Sequence, residues 1–583
     1  MLVEETGVNI RAMMRTVMLL TLVASTFLLN TRHTGAESNQ NFELDSLPPI
    51  DWNQYHNYSE IVTILIALNE TYPEIVDVFS IGKSWQNRDI YCVRLTNESD
   101  IREKPQVLFA SYHHAREPIT AELALYFVVY AAENYGTNVT VTELLNGSEI
   151  YVVVALNVDG FSLFEVNDGQ RKNARPTNED YDALTDEDPP EDENGDGLIE
   201  DLWNVSNPDY PVYIRTEGFD NDGDGRSGED WIGGVDLNRN YDLHWRGGGA
   251  HSPRSEIYEG PAAFSEPETQ AIRNLVLSHN FSYGIDFHSG IELILYPWSW
   301  TSSPAPDQVK FVEIASDLSD LTGGTEYEQA FGLYAAYGTC SDWLYGNSSI
   351  LALTCEIFGN ESWMGSQTPG PYPNTVWMGS LRYYFNPFPS AIQVVVLQWL
   401  PTFFYISSRV VVENAETNIA LTDIEADRAV VCEGYSMNFN VSVKNTGKSQ
   451  ETFNVSLYAG DIEIGKQETT LTNGTTSSLS FTWNTSGLVH YENFAISARV
   501  WPIEGEAYSG DNLRIDGNVL ISMAGDLNGD RVVDIFDIAM LALAFGSVQG
   551  DPNWNATADI NGDGLVDIFD VVIVATHFGD TSP

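Results

Sequence analysis

Short apolar runs alternate with longer stretches that repeat apolar residues every three or four positions over most of the first 400 residues. Val107–Ala110, Ile150–Leu156, Tyr283–Phe287 and Leu293–Tyr296 are apolar or nearly so, which predicts strands buried on both faces. Ile75–Ile81 and Ile90–Leu95 read as further strands, and Ser349–Phe358 contains another. Asp51–Asn69 enters the domain and becomes an amphipathic helix with Ile61, Leu65 and Leu68 on one face. Ile119–Asn134, Glu266–Leu277 and Val309–Thr322 have helical spacing. Strands alternating with long helices predict an α/β sheet covered on both faces. Ser390–Ser407 is apolar enough to pass for a membrane span, but Gln393, Gln398 and Pro401 interrupt it. It reads as the closing helix of this domain, residues 50–410.

The texture changes after Asn414. Residues 416–522 alternate apolar and polar, as in Met437–Val443 and Phe453–Leu457, with Gly and Asn at the turns, so a β-sandwich is expected. The tail, 524–583, is an internal repeat. Asp526-Leu-Asn-Gly-Asp-Arg-Val-Val-Asp-Ile-Phe-Asp537 returns as Asp559-Ile-Asn-Gly-Asp-Gly-Leu-Val-Asp-Ile-Phe-Asp570, each followed by a helix-like run ending at Phe-Gly.

Charge narrows the function classes. The chain carries 83 Asp plus Glu against 28 Lys plus Arg, a net charge of −55. No nucleic-acid partner is expected, because phosphate binding needs clustered cations. Residues 176–232 form an acidic insertion in the α/β domain. Within it, Asp192-Glu-Asn-Gly-Asp196-Gly197 and Asp220-Asn-Asp222-Gly-Asp224-Gly225 place oxygens at alternate positions with glycine turns, as Ca²⁺ loops do. Arg11 and Arg15 precede an apolar run, Val17–Leu29, and Thr34-Gly35-Ala36 suits cleavage, so residues 1–36 are expected to be a signal peptide, with an uncleaved anchor as the alternative. The protein is then secreted, with or without attachment to the cell surface, and has no membrane span beyond that segment. Asn-x-Ser/Thr sequons such as Asn57, Asn138 and Asn454 agree with export and glycosylation. The 4 cysteines are too few for a disulfide scaffold. Cys340 and Cys355 either close a short loop or remain free thiols.

Candidate chemistry begins where a buried strand runs into His114-Ala115-Arg116-Glu117. An imidazole and a carboxylate three residues apart suit Zn²⁺, which takes nitrogen and oxygen ligands and leaves one position for water in hydrolases. His288 stands at the end of another strand, in Asp286-Phe-His-Ser-Gly. Glu356, in Leu353-Thr-Cys-Glu356, is an acid in apolar surroundings, where desolvation raises a carboxyl pKa and suits a general base. Val235-Asp-Leu-Asn-Arg-Asn-Tyr241 sets an amide beside a guanidinium, as carboxylate recognition uses.

His114-x-x-Glu117, Arg171-Lys172-Asn173, Asp236-Leu-Asn238-Arg239-Asn240, His288, Tyr334 before Asp342-Trp343, and Glu356 occur in this order at spacings that resemble the zinc carboxypeptidase family of types A, B and T. The resemblance covers roughly residues 50–410. It implies a mixed β-sheet flanked by helices and one Zn²⁺ in the catalytic domain, held by His114, Glu117 and His288. It implies Asp236 behind His114, Glu356 as general base, and Arg171 on the oxyanion. Asn238 and Arg239 would grip the substrate's terminal carboxylate, with Tyr334 closing over it and Arg116 holding residues further up the peptide. The sequence departs from digestive members at Gly290, where they carry Tyr. Ser341 stands where enzymes cutting at basic residues carry Asp. With Ala336, Thr339 and Thr354 it argues for neutral or apolar terminal residues. The stretch between the expected cleavage site and the domain is too short for the family's pro-segment, so no zymogen is expected.

The tail resembles a type I dockerin module. Asp526, Asn528, Asp530, Asp534 and Asp537, and Asp559, Asn561, Asp563, Asp567 and Asp570, take loop positions 1, 3, 5, 9 and 12 of one Ca²⁺ loop each. Position 6 favours glycine; Gly564 supplies it, but the first loop has Arg531 and is expected to bind more weakly. The resemblance implies docking on a cohesin-type partner through Ile535-Phe536 and Ile568-Phe569. The sandwich, read as immunoglobulin-like, would be a spacer. The leading reading is a secreted zinc metallocarboxypeptidase acting on peptide and protein C-termini. The alternatives are an amidase or carboxypeptidase of cell-wall peptides, and a non-catalytic peptide-binding protein of a surface complex.

Overall fold

The structure, a computed structural model, describes residues 47–178, 185, 188–195, 199–206, 212–221, 223, 225–227, 233–248, 251–360, 367–378 and 381–582. The expected signal peptide lies outside these, as do Asp196, Gly197, Asp222 and Asp224 of the two acidic loops. The chain divides into two compact units, residues 1–410 and 411–583.

Apolar runs of the first unit form strands because each is covered on both sides. The strands are β1 (Val76–Lys83), β2 (Asp89–Leu95), β3 (Gln106–Ser111), β4 (Glu149–Val153), β5 (Asp201–Asn204), β6 (Val212–Thr216), β7 (Phe281–His288), β8 (Ile291–Tyr296), β9 (Tyr327–Gln329), β10 (Leu351–Phe358), β11 (Gln367–Pro369) and β12 (Thr375–Met378). Eight make one sheet in the order β1-β2-β4-β3-β7-β10-β8-β9. Its centre, β4-β3-β7-β10, is parallel, while β1, β2 and β8 join antiparallel, so the sheet is mixed. Parallel neighbours end at the same edge. Ligand sites of open α/β sheets form there.

Two helices seal one face. Helix Pro118–Asn134 is buried along most of its length. Helix Ile392–Asn414 passes over it, and Phe403 packs against Phe127, Phe109 and Phe287 at ring-centroid distances of 4.2, 4.5 and 4.9 Å. The stretch Arg382–Asn414 is long and apolar enough to cross a membrane by composition. Trp399, Leu400, Phe403, Ile406 and Val410 are nevertheless buried against the protein, as a core helix requires. Helices Pro267–Leu277 and Cys340–Ser348 pack on β1 and β10 respectively.

The acidic insertion is more than a loop. β5 and β6 lie within it and pair with β12 and β11 into a second sheet, ordered β11-β12-β5-β6. Buried Leu202 faces buried Trp377 across the β5–β12 pair. Arg215 lies 5.2 Å from the Trp377 ring. These strands, three to five residues long, are too short to show in the hydrophobic pattern.

Among the described residues the second unit has eight strands in two sheets. β13 (Ile419–Ala426), β15 (Ser436–Asn445) and β18 (Thr476–Asn484) form one. β14 (Val430–Cys432), β20 (Leu513–Ser522), β19 (Asn493–Val500), β16 (Glu451–Ala459) and β17 (Ile462–Leu471) form the other. Phe439, Val441 and Phe481 of the first sheet share one buried cluster with Phe453, Val455 and Ile496 of the second, which makes the pair a sandwich. Helices Ile535–Ala544 and Ile568–His577 follow, each opened by a capping box, Asp534 with Asp537 and Asp567 with Asp570.

Candidate active site

The three parallel strands β3, β7 and β10 deliver the site. After β3 the backbone turns at Tyr112, whose φ is 60°, and His113, His114 and Glu117 follow in the turn before helix Pro118–Asn134. β7 ends on His288, and Glu356 on β10 stands opposite it in register. His114, Glu117 and His288 offer ligand atoms all within 4.8 Å of one another, although His114 and His288 are far apart in sequence. The Nδ1 atoms of His114 and His288 lie 3.1 Å apart. The Glu117 carboxylate reaches them at 2.7 and 3.0 Å.

Two imidazole nitrogens facing each other across one carboxylate form a donor set that fits Zn²⁺ with one position left for water. The outer ring nitrogens are both held, which fixes the tautomers that turn Nδ1 inward. His114 Nε2 is 3.2 Å from Asp236, and His288 Nε2 is 2.9 Å from Asp286. Asp286 in turn lies 2.8 Å from His113 Nδ1, and His113 Nε2 lies 2.9 Å from the Tyr241 hydroxyl. The sequence reading gave no role to Asp286, His113 or Tyr241. A lone Asp two residues before a His is too common a pattern to single out.

Electrostatics follow from this burial. Desolvation lowers the His114 pKa, reinforced by the Arg171 cation. Desolvation opposes charge on His288 as well, but Asp286 and Glu117 outweigh it and hold its pKa well above the ordinary value. Desolvation likewise opposes ionisation of Glu117, yet the two histidines keep its carboxyl far below the usual range. Glu356 is pushed up to about 7, chiefly by burial and further by Glu117, against the pull of His288 and Arg171.

Arg171 donates from Nε to Asp236 at 2.8 Å, so one buried carboxylate braces both His114 and this guanidinium. Arg239 is buried, with Tyr334 half-exposed over it. Its guanidinium lies 5.8 Å from the tyrosine ring, and Nη2 lies 3.5 Å from the hydroxyl. Asn238 accepts from the Cys340 backbone N–H at 2.8 Å, and its amide nitrogen lies 3.0 Å from His288 Nε2. Arg116 donates to Glu256 at 2.8 Å and sits 4.2 Å over the Phe385 ring. Glu256, on a loop with no periodic pattern, escaped the sequence reading. Arg116 is the first cause, and Arg171 a further one, that draws its pKa down.

Gly290 has φ 145°, and a Cβ there would meet the Phe385 ring at 3.0 Å. The Phe385 ring thus occupies the space that a side chain at position 290 would enter. Ser341 accepts from the Thr354 hydroxyl at 3.0 Å, and both are buried with Ala336 and Thr339. Cys340 and Cys355 are free, buried thiols.

A nitrogen-and-carboxylate seat at the ends of parallel strands, with an acid of raised pKa beside it, is the arrangement of a metal-dependent α/β hydrolase. The chain belongs to the zinc carboxypeptidase family, whose family model matches residues 61–396. The model of the dockerin type I domain matches residues 524–579. Carboxypeptidase B of Astacus astacus is 28% identical over 318 residues, covering 53% of this chain and 88% of that protein. A zinc carboxypeptidase of Saccharothrix mutabilis subsp. capreolus is 27% identical over 339 residues, covering 56% and 65%. The chain thus spans most of the first relative and just under two thirds of the second. Among solved structures, thrombin activatable fibrinolysis inhibitor aligns at TM-score 0.47 and 23% identity, over 62% of this chain and 75% of that one.

Proposed function

We propose that the protein is a secreted zinc metallocarboxypeptidase that removes C-terminal residues from peptides and proteins. The carrying observation is the convergence of His114, Glu117 and His288 within 4.8 Å, beside Glu356. Zinc held by His114, Glu117 and His288 would supply a water acidic enough to react at neutral pH and would polarise the scissile carbonyl. Glu356 takes the proton from the attacking water and returns it to the leaving amine. A carboxyl pushed up to about 7 can do both near neutrality. Arg171, held by Asp236 through Nε, keeps its terminal nitrogens for the developing oxyanion. Arg239 and Asn238 bind the terminal carboxylate, and Tyr334 closes over it. Buried Ser341, Thr354, Thr339 and Ala336 carry no charge and favour neutral or apolar terminal residues. Arg116, steadied by Glu256, contacts the peptide further upstream.

We place the catalytic domain at 50–410, an immunoglobulin-like spacer at 416–522 and a calcium-binding docking module at 524–583. Asp526, Asp537, Asp559 and Asp570 are buried carboxylates in the repeated loops. Burial first, then backbone donors in opposition and Asp526 in support, hold the Asp537 pKa up. Such crowding of acids fits a cation. Ile535, Phe536, Ile568 and Phe569 are 57 to 64% exposed and offer an apolar face to a cohesin-type partner. The acidic insertion is proposed to bind Ca²⁺ as well.

The test is digestion of a peptide library read by mass spectrometry, with and without a zinc chelator. Loss of single C-terminal residues that stops on chelation and returns with zinc is expected. Internal cleavage, cleavage confined to cell-wall peptides, or chelator-insensitive activity would overturn the reading.

A further inference from the structure

The two calcium loops of the tail share their acidic positions but not their surroundings. In the first loop, Asp526 accepts from the Gly529 and Arg531 backbone N–H groups at 2.8 and 3.0 Å. Its Oδ2 accepts a further bond at 2.7 Å from the hydroxyl of Tyr491, a residue of the sandwich. The matching Asp559 accepts from Gly562, Asp563 and Gly564 within its own loop. A sandwich residue does reach the second loop, but Arg428 donates there to the Asp559 backbone oxygen, at 3.0 Å.

The position that breaks the repeat explains itself in this setting. Arg531 holds φ 77°, where Gly564 holds 86°. A side chain in this left-handed region costs about 1 kcal/mol. Its guanidinium lies 4.8 Å over the Tyr491 ring, an attraction that compensates in kind. The fourth loop position tells the same story. A Cβ on Gly529 would meet Leu520 of β20 at 2.6 Å, whereas Gly562 has nothing within 4 Å. The tail's apolar core also includes buried Cys432 of β14, with Tyr435 and Tyr491 packed against it.

We infer that the first calcium site extends into the sandwich, with Tyr491 as its positioning residue, so that calcium at this loop fastens the tail to the sandwich. The second loop is tied to the sandwich through the Asp559 backbone oxygen rather than through a loop carboxylate. Both Ile-Phe pairs stay exposed in this arrangement, so the fastening leaves the partner-binding face open.

The test uses the full chain and calcium alone as the probe. Calorimetric titrations define the first site as the one lost in Asp526→Ala and the second as the one lost in Asp559→Ala. Tyr491→Phe keeps the ring and removes one hydrogen bond to a charged group, so affinity at the first site should fall about tenfold. The second site should be unchanged. Hydrogen exchange on residues 486–493 of the sandwich gives an independent readout. Calcium should slow it in the wild type and in Asp559→Ala, but not in Asp526→Ala. Equal calcium affinity in Tyr491→Phe and wild type would overturn the inference. So would calcium protection of 486–493 that survives Asp526→Ala. Should Tyr491→Phe melt earlier than wild type in chelator, the exchange comparison between the two Asp variants decides alone.

Discussion

Half-buried Glu356 and buried Glu268 both have raised pKa values, and they separate chemistry from stability. Glu356→Gln keeps the shape of the general base and removes its proton chemistry. Activity should fall by about 10²- to 10⁴-fold while zinc content, read by metal analysis, stays at one per chain. Retained activity would exclude Glu356 as base. Glu268 is pushed up from 4.5 to about 8, first by burial, with its neighbour Glu266 adding to the effect. The folded protein therefore holds this proton to higher pH than the unfolded chain does. The group costs nothing below about pH 4.5; its cost grows between about 4.5 and 8 and levels off above that. Glu268→Gln should be neutral near pH 4.5 and raise the melting temperature at pH 8.5, by roughly 1–2 kcal/mol of stability. Sequence reading reached Glu356 because an acid after an apolar strand is conspicuous. It missed Glu268, which looks like an ordinary first-turn helix acid. It also missed Glu256, whose place beside Arg116 depends on a long excursion of chain.

At the scale of elements, β7 matters most. It delivers His288 and Asp286 to the same edge as β3 and β10. Asp286→Asn keeps the size of the group braced against His288 Nε2 and removes its charge. Zinc affinity, measured by chelator competition, should drop about 10- to 100-fold. An unchanged affinity would reduce Asp286 to packing. Helix Ile392–Asn414 carries the complementary test. Phe403 fills the space between Phe109, Phe127 and Phe287, so Phe403→Ala should cost about 3–5 kcal/mol in denaturant unfolding. A membrane-facing helix would show no such loss. Long strands and helices were legible here because their burial is two-sided or one-sided over many residues. β5, β6, β11 and β12 were not, because pairing between distant short segments leaves no local period. Loop Asp192–Gly197 and loop Asp220–Gly225 showed a calcium-like spacing, but their key acids fall partly outside the described residues.

On the scale of the whole molecule, the order of parts could be read from changes of texture: an α/β domain, alternating strands, then a repeat. What could not be read was how the parts complete one another, as Tyr491 and Cys432 do for the tail. Exported proteins, small ones above all, often rely on covalent staples. Here Cys92, Cys340, Cys355 and Cys432 are all free, buried thiols. Oxidation therefore takes no part in reaching the native state. The purified protein should melt at the same temperature with and without a non-chelating phosphine reductant, and should mature equally well in a reducing cytoplasm or an oxidising medium. Its durability would then rest on reversible ties, to metals and between side chains, that the surroundings can loosen and restore.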